Sequence, residues 1–118
     1  MDNVILAAPL LPDKAEAWRR FCQEMMGRRR QQHERSRRRL NIIRETAWLV
    51  PTPHGQIAVI AITAPDPAET LEKLATSQQP FDCWFRRNVL EIHGLDLSHS
   101  ADGRPDKPIF QWSCPEQQ

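Results

Sequence analysis

The sequence predicts an α+β domain with the element order βαββα(α)β, an antiparallel sheet carrying its helices on one face. Three observations lead there. Residues 3–10, 42–50 and 56–62 are dense in aliphatic and β-branched side chains, as strands are. The stretches between and after them place apolar residues at three- and four-residue steps, the period of an amphipathic helix. The strands are also apolar on both faces, so the chain's own helices can cover only one of them. Alternation puts Ile57, Val59 and Ala61 on one face of the third strand and Ala58, Ile60 and Ile62 on the other. Little of a 118-residue chain remains to cover the second face. A second copy of the protein is the simplest cover, and a homodimer through the sheet faces is expected.

The first strand, Asn3 to Leu10, has two apolar faces, Val4/Leu6/Ala8 and Ile5/Ala7, and is closed by Pro9 and Pro12. A helix is expected from about Pro12-Asp13, since proline suits a first helical turn. Trp18, Phe21, Cys22, Met25 and Met26 form its apolar stripe. Gly27 weakens it locally, by about 1 kcal/mol relative to alanine, and the helix is expected to run on to Ser36. Extending the same stripe gives Arg29, Gln32, His33 and Ser36, so the face is apolar in its first half and polar in its second.

A hairpin follows, Ile42–Val50 and Gln56–Ile62, joined by the turn-forming Pro51-Thr52-Pro53-His54-Gly55. Asp66 and Pro67 read as the cap and first residue of a second helix with Leu71, Leu74 and Ala75 inward. Pro80 opens a third helix with Phe81, Trp84, Phe85, Val89 and Ile92 as its stripe and Gly94 as its stop. Residues 95–107 read as a polar loop. Pro108 to Ser113 reads as a short last strand, its proline placing it at an edge or a strand start. The order is that of a ferredoxin-like fold, and the whole chain, 1–118, reads as one domain.

Composition narrows the function classes. No apolar run approaches the roughly 18 residues of a membrane span. The first residues lack the basic segment of a secretory leader, which makes a cytoplasmic location the expectation. Three cysteines, Cys22, Cys83 and Cys114, are far apart and form no CxxC pair. That spacing argues against a disulfide framework or structural zinc. Four scattered histidines with neither HxH nor HxxxH spacing argue against a metal site, and no cofactor motif is present. Net charge is +1, unevenly placed. Residues 28–39 hold seven arginines and one glutamate, +6, while the remainder holds nine basic and fourteen acidic residues, −5.

The segments Arg44-Glu45-Thr46-Ala47-Trp48-Leu49, Pro51-Thr52-Pro53-His54-Gly55, Pro80-Phe81-Asp82-Cys83-Trp84-Phe85 and Leu90-Glu91-Ile92-His93-Gly94-Leu95-Asp96 resemble a family of small bacterial proteins of unknown function. That family is similar to the dimeric α/β-barrel group, which includes the antibiotic-biosynthesis-monooxygenase-like proteins. The resemblance spans roughly residues 3 to 113. It implies two ferredoxin-like sheets packed face to face. It implies little about activity, because that group holds cofactor-free oxygenases, haem-handling enzymes, isomerases and proteins with no known reaction, and fold alone assigns none.

Five residues stand out as candidates. Glu45 shares a strand face with Ile43, Ala47 and Leu49, and a carboxylate buried there needs a partner or a raised pKa. It reads as a general base, as a polar anchor inside a barrel pocket, or as half of an ion pair with an arginine of the first helix, and the ion pair is the commoner outcome. His93, in the last turn of the third helix, reads as a cap for free carbonyls or as an acid/base group or metal ligand near a pocket mouth. Trp48 and Trp84 read as walls of a pocket for a flat ligand or as core and dimer contact. Arg38, with Arg29 and Ser36, reads as a grip for a small anion. The arginine run also raises nucleic-acid binding, against which stand the absence of interleaved aromatic residues and the near-neutral total charge. Three functions therefore compete: a small-molecule enzyme or binder with a pocket between sheet and helices, a non-catalytic homodimeric assembly protein, and, least favoured, a nucleic-acid binder. The sequence carries no signature of a reaction.

Overall fold

A computed structural model describes residues 1–99 and 108–115. It is an α+β fold with a three-stranded antiparallel sheet and four helices. The order is β1 (Asp2–Pro9), α1 (Ala15–Met26), α2 (Arg30–Arg39), β2 (Arg44–Thr52), β3 (Gly55–Ala64), α3 (Pro67–Thr76) and α4 (Pro80–His93). The most apolar strand, β3, lies in the centre, with β1 and β2 as edges. Ile5 faces Ala61 and Thr46 faces Ala61 from the other side; Ala7, Val59 and Trp48 form the next row, and Pro9, Ile57 and Val50 the row after. The hairpin is tighter than the sequence suggests. Thr52 pairs with Gly55, and the Thr52 hydroxyl donates to the Gly55 carbonyl at 2.6 Å, leaving only Pro53 and His54 in the turn.

Alternation decides which side chains face the helices. Ala8, Ala58, Ile62 and Ala64 are buried, while Ile5, Trp48 and Val50 on the opposite face remain 56, 50 and 40 % exposed. The helices pack through aromatic residues: Phe21 of α1 sits 5.3 Å, ring to ring, from both Trp84 and Phe85 of α4. Val89 and Ile92 complete that core. The caps form as expected. The Asp66 carboxylate accepts from the Glu69 amide at 3.2 Å, Pro67 occupies the first turn of α3, and Gly94 ends α4 at φ 72° with its amide on Leu90 O.

Two expectations are corrected. The single helix from Pro12 to Ser36 is two helices broken at Gly27. A Cβ on Gly27 would lie 2.9 Å from the carbonyl oxygen of Gln23, so the chain turns where only glycine fits without displacing backbone. The turn lets α2 set its polar face against the sheet. The last strand, Pro108–Ser113, is not a strand and pairs with nothing in the sheet. Ile109, Phe110 and Trp112 are largely exposed there, and the segment adds to neither sheet edge, β1 or β2. No helix among the described residues is long and apolar enough to cross a membrane.

Candidate functional site

Between the sheet and the helices lies a cavity of about 450 Å³. Leu6 and Ala8 of β1, Ala47 of β2 and Ile60 of β3 form its floor, and Trp18, Phe21 and Met25 of α1 with Phe85 and Val89 of α4 form its roof. Leu95 and Leu97, just after α4, close one side. The walls are apolar because inward strand positions and helix stripes meet there. A few polar groups interrupt them.

The first is a triad on β2 and α2. Arg37 donates from Nε to Glu45 Oε1 at 2.9 Å and from Nη2 to Glu45 Oε2 at 3.0 Å, a bidentate pair. His33 Nε2 lies 3.0 Å from Glu45 Oε1 and, since a carboxylate only accepts, carries the donated hydrogen. Burial alone would raise the Glu45 carboxyl, but the His33 and Arg37 hydrogen bonds and the Arg37 charge outweigh it and hold the group down at about 2. Glu45 is therefore ionised at neutral pH with its lone pairs engaged, which makes it a poor proton acceptor. The Arg37 guanidinium also lies 4.6 Å over the Phe85 ring, packed between α2 and α4.

The second polar group is His93. Its Nδ1 lies 3.0 Å from the Pro9 carbonyl. A carbonyl only accepts, so Nδ1 carries the hydrogen and Nε2 is left as an acceptor with no partner among the described residues. Burial lowers the His93 pKa below its ordinary value despite the Pro9 hydrogen bond, so the ring is neutral at pH 7. Glu45 sits opposite Ile62, which sits opposite Val4, whereas His93 is tied to Pro9 at the other end of β1. Five residues of strand separate those positions, about 17 Å. The two groups mark opposite ends of the cavity and cannot act as a dyad. Between them, the Cys22 thiol is pushed up to about 11 by burial and the Glu45 charge, so it stays protonated and unreactive.

The other sequence candidates lie elsewhere. Trp48 is on the open sheet face, because alternation turns it away from its neighbours Ala47 and Leu49. Trp84 packs on Phe21 and Phe81 and meets a separate surface depression under the Arg29 guanidinium. Arg38 is exposed and pairs with Glu34 at 3.4 Å. Neither tryptophan nor Arg38 lines the cavity. The residues that do most there, His33 and Arg37, were not singled out by sequence. His33 does fall on the polar extension of the α1 stripe, the one available signal. Nothing distinguishes Arg37 among seven arginines.

A further polar cluster was not anticipated. Asp82, fully buried on α4, accepts from Ser36 Oγ at 2.5 Å, Ser77 Oγ at 2.6 Å and Arg39 Nη2 at 3.2 Å. Burial favours its neutral form, but the two hydroxyls and the Arg39 pair together lower its pKa. Ser36 also accepts from Arg37 Nη1 at 3.0 Å, so this cluster and the Glu45 triad are one network holding α2 in place. Among the described residues no group of three or more His, Cys, Asp or Glu is arranged to hold a metal ion.

Comparison with family models, with curated proteins and with solved structures finds no match to this chain.

Proposed function

We propose that this protein binds a small, largely apolar molecule between its sheet and helices, with His93 Nε2 accepting a hydrogen bond or a proton from it. The observation that supports this most is the cavity itself. It measures about 450 Å³, opens in part to solvent, and is lined mostly by apolar side chains. Apolar walls hold water poorly. A ligand of drug-like or metabolite size fits such a volume. A fixed neutral imidazole at one end supplies the single directional contact that orients it, and the same nitrogen is the one that would withdraw a proton if the protein is an enzyme.

The test uses 1-naphthol and naphthalene as probes, followed by their fluorescence. 1-Naphthol, which can donate to His93, binds about tenfold tighter than naphthalene, the worth of one hydrogen bond. Ala47→Trp, which fills the floor, abolishes binding of both while the protein stays folded by circular dichroism. Equal binding by Ala47→Trp and the unaltered protein would remove the cavity from the account.

A second reading concerns the open sheet face, and it is the dimeric α/β-barrel arrangement that the sequence resembles. Ile5, Ala7, Trp48, Val50, Ile57, Val59 and Ala61 form one apolar surface with Arg44 at its end. A second copy suits it because a two-fold contact lays a patch on itself without requiring any other surface. Three strands at about 4.8 Å and eight residues at about 3.3 Å give a footprint of roughly 14 by 26 Å. That is below the approximately 800 Å² per partner of a stable interface, so the dimer must also cover the exposed Ile109, Phe110 and Trp112. Trp48→Asp, at the centre of the patch, is expected to convert a dimer to monomer in sedimentation velocity at micromolar concentration. An unchanged sedimentation coefficient would place the interface elsewhere.

A further inference from the structure

On the flank of the molecule away from the apolar cavity, α2 and the first half of α4 enclose a depression of about 440 Å³ with a different character. Gln32, Arg35 and Arg39 line it from α2 at steps of three and four, so they share one face of that helix. Trp84 and Arg87 line it from α4, and Arg29 closes it from the turn before α2. Four guanidinium groups therefore converge on one groove, and no carboxylate lines it.

Two of the four are held in place by the protein. Arg29 lies 4.1 Å over the Trp84 ring, donates from Nε to Glu24 at 3.1 Å and from Nη1 to Gln32 Oε1 at 3.1 Å. Arg39 donates to the buried Asp82. The nearby acids are already engaged: Glu24 is shared between Arg28 and Arg29, and Asp82 among Arg39, Ser36 and Ser77. The other two arginines, Arg35 and Arg87, make no hydrogen bond or ion pair among the described residues. The groove thus holds two prealigned guanidiniums and two uncommitted ones, a net charge of about +2 that the fold leaves unbalanced.

We propose that this groove is a binding site for a small phosphate-bearing molecule, with Arg35 and Arg87 taking the phosphate oxygens and Arg29 and Arg39 setting the floor. The arginine fork matches tetrahedral oxyanions in a way that lysine does not. The ligand is small rather than a nucleic acid because the chain beyond the arginine segment is net negative. The chain outside residues 28–39 carries −5, which repels a polyanion long enough to leave the groove. The site is separate from the apolar cavity. Gln32, Arg35 and Arg39 face the groove while His33 and Arg37 face the cavity, so either site can fail without the other.

The experiment is calorimetric titration of the full chain with inorganic pyrophosphate at 150 mM sodium chloride, with sodium sulfate and a twelve-nucleotide oligouridine as parallel titrants. The expected result is saturable 1:1 binding of pyrophosphate, at least tenfold tighter than sulfate. The double variant Arg35→Gln/Arg87→Gln loses at least tenfold in affinity with its ligand-free melting temperature unchanged, since both side chains are exposed and unpaired. The control Arg19→Gln/Arg20→Gln, with two exposed arginines on α1, binds as the unaltered protein does. Three results overturn the proposal. One is pyrophosphate binding no tighter than sulfate. Another is an equal loss in both double variants, which would mean charge screening without a site. The third is oligouridine binding tighter than pyrophosphate and lost in Arg35→Gln/Arg87→Gln, which would make the groove a nucleic-acid surface.

Discussion

Asp82→Ala is expected to destabilise the protein by about 3–5 kcal/mol, the cost of removing one partner from a buried charged cluster. The carboxylate sits at zero exposure and receives three donors, from α2, from the residue after α3 and from the end of α2. Its loss strands the Ser36 hydroxyl, itself fully buried, and frees Arg39. The effect exceeds that of an ordinary surface ion pair because no water replaces the missing acceptor. Asp82→Asn, which keeps one acceptor oxygen, should lose roughly half as much. Urea denaturation of the three proteins checks this, and an Asp82→Ala midpoint equal to that of the unaltered protein would show that the cluster does not hold α2.

Glu45→Gln is the second large effect, and it separates structure from catalysis at this residue. At pH 7 the variant should be about 3 kcal/mol less stable, because Arg37, 8 % exposed, loses a full counter-charge and faces an amide that donates where the carboxylate accepted. The same argument fixes a pH dependence. The Glu45 carboxyl titrates near 2 in the folded protein against about 4.5 when unfolded. A depressed folded-state value means its contribution is fully present above about 4.5 and is lost as pH falls from there through 2. A difference of about 2.5 pH units corresponds to about 3 kcal/mol. The unaltered protein should therefore lose stability steeply over that range, and Glu45→Gln should lose less. Naphthol binding, which depends on the cavity's other end, should survive the substitution. Loss of binding in a variant with unchanged stability would instead make Glu45 a ligand contact.

The sequence resolved the parts of the fold governed by local rules. The Asp66–Pro67 start of α3, the Pro80 start and Gly94 stop of α4, and the inward and outward sets of the hairpin follow from capping chemistry and alternation. The break at Gly27 did not follow, since a glycine in a helical pattern is usually tolerated. What makes glycine necessary there is the Gln23 carbonyl, 2.9 Å from where a Cβ would sit, a three-dimensional fact. The segment Pro108–Ser113 has the composition of a strand, but strand formation needs pairing, and it pairs with neither sheet edge, β1 or β2.

The candidate site divides the same way. Glu45 was visible because it breaks an apolar strand face, and His93 because it sits in the last turn of a helix beside the Gly94 stop. Their roles were set by partners 12, 8 and 84 residues away, His33, Arg37 and Pro9, which no spacing rule connects. Of the two, Glu45 has both carboxylate oxygens engaged by Arg37 and His33, and His93 has an acceptor with no partner among the described residues. Trp48 was grouped with pocket walls on residue type, although strict alternation with Glu45, Ala47 and Leu49 already placed it on the other face. Asp82 was missed because a single acid near a helix N-terminus reads as an ordinary first-turn residue.

The most direct measurement is native mass spectrometry of protein purified gently from the cells that make it. The account predicts a dimer carrying a reproducible added mass of a few hundred daltons per chain, lost in Ala47→Trp. A monomer with no added mass would contradict it, leaving the apolar sheet face uncovered and the cavity empty.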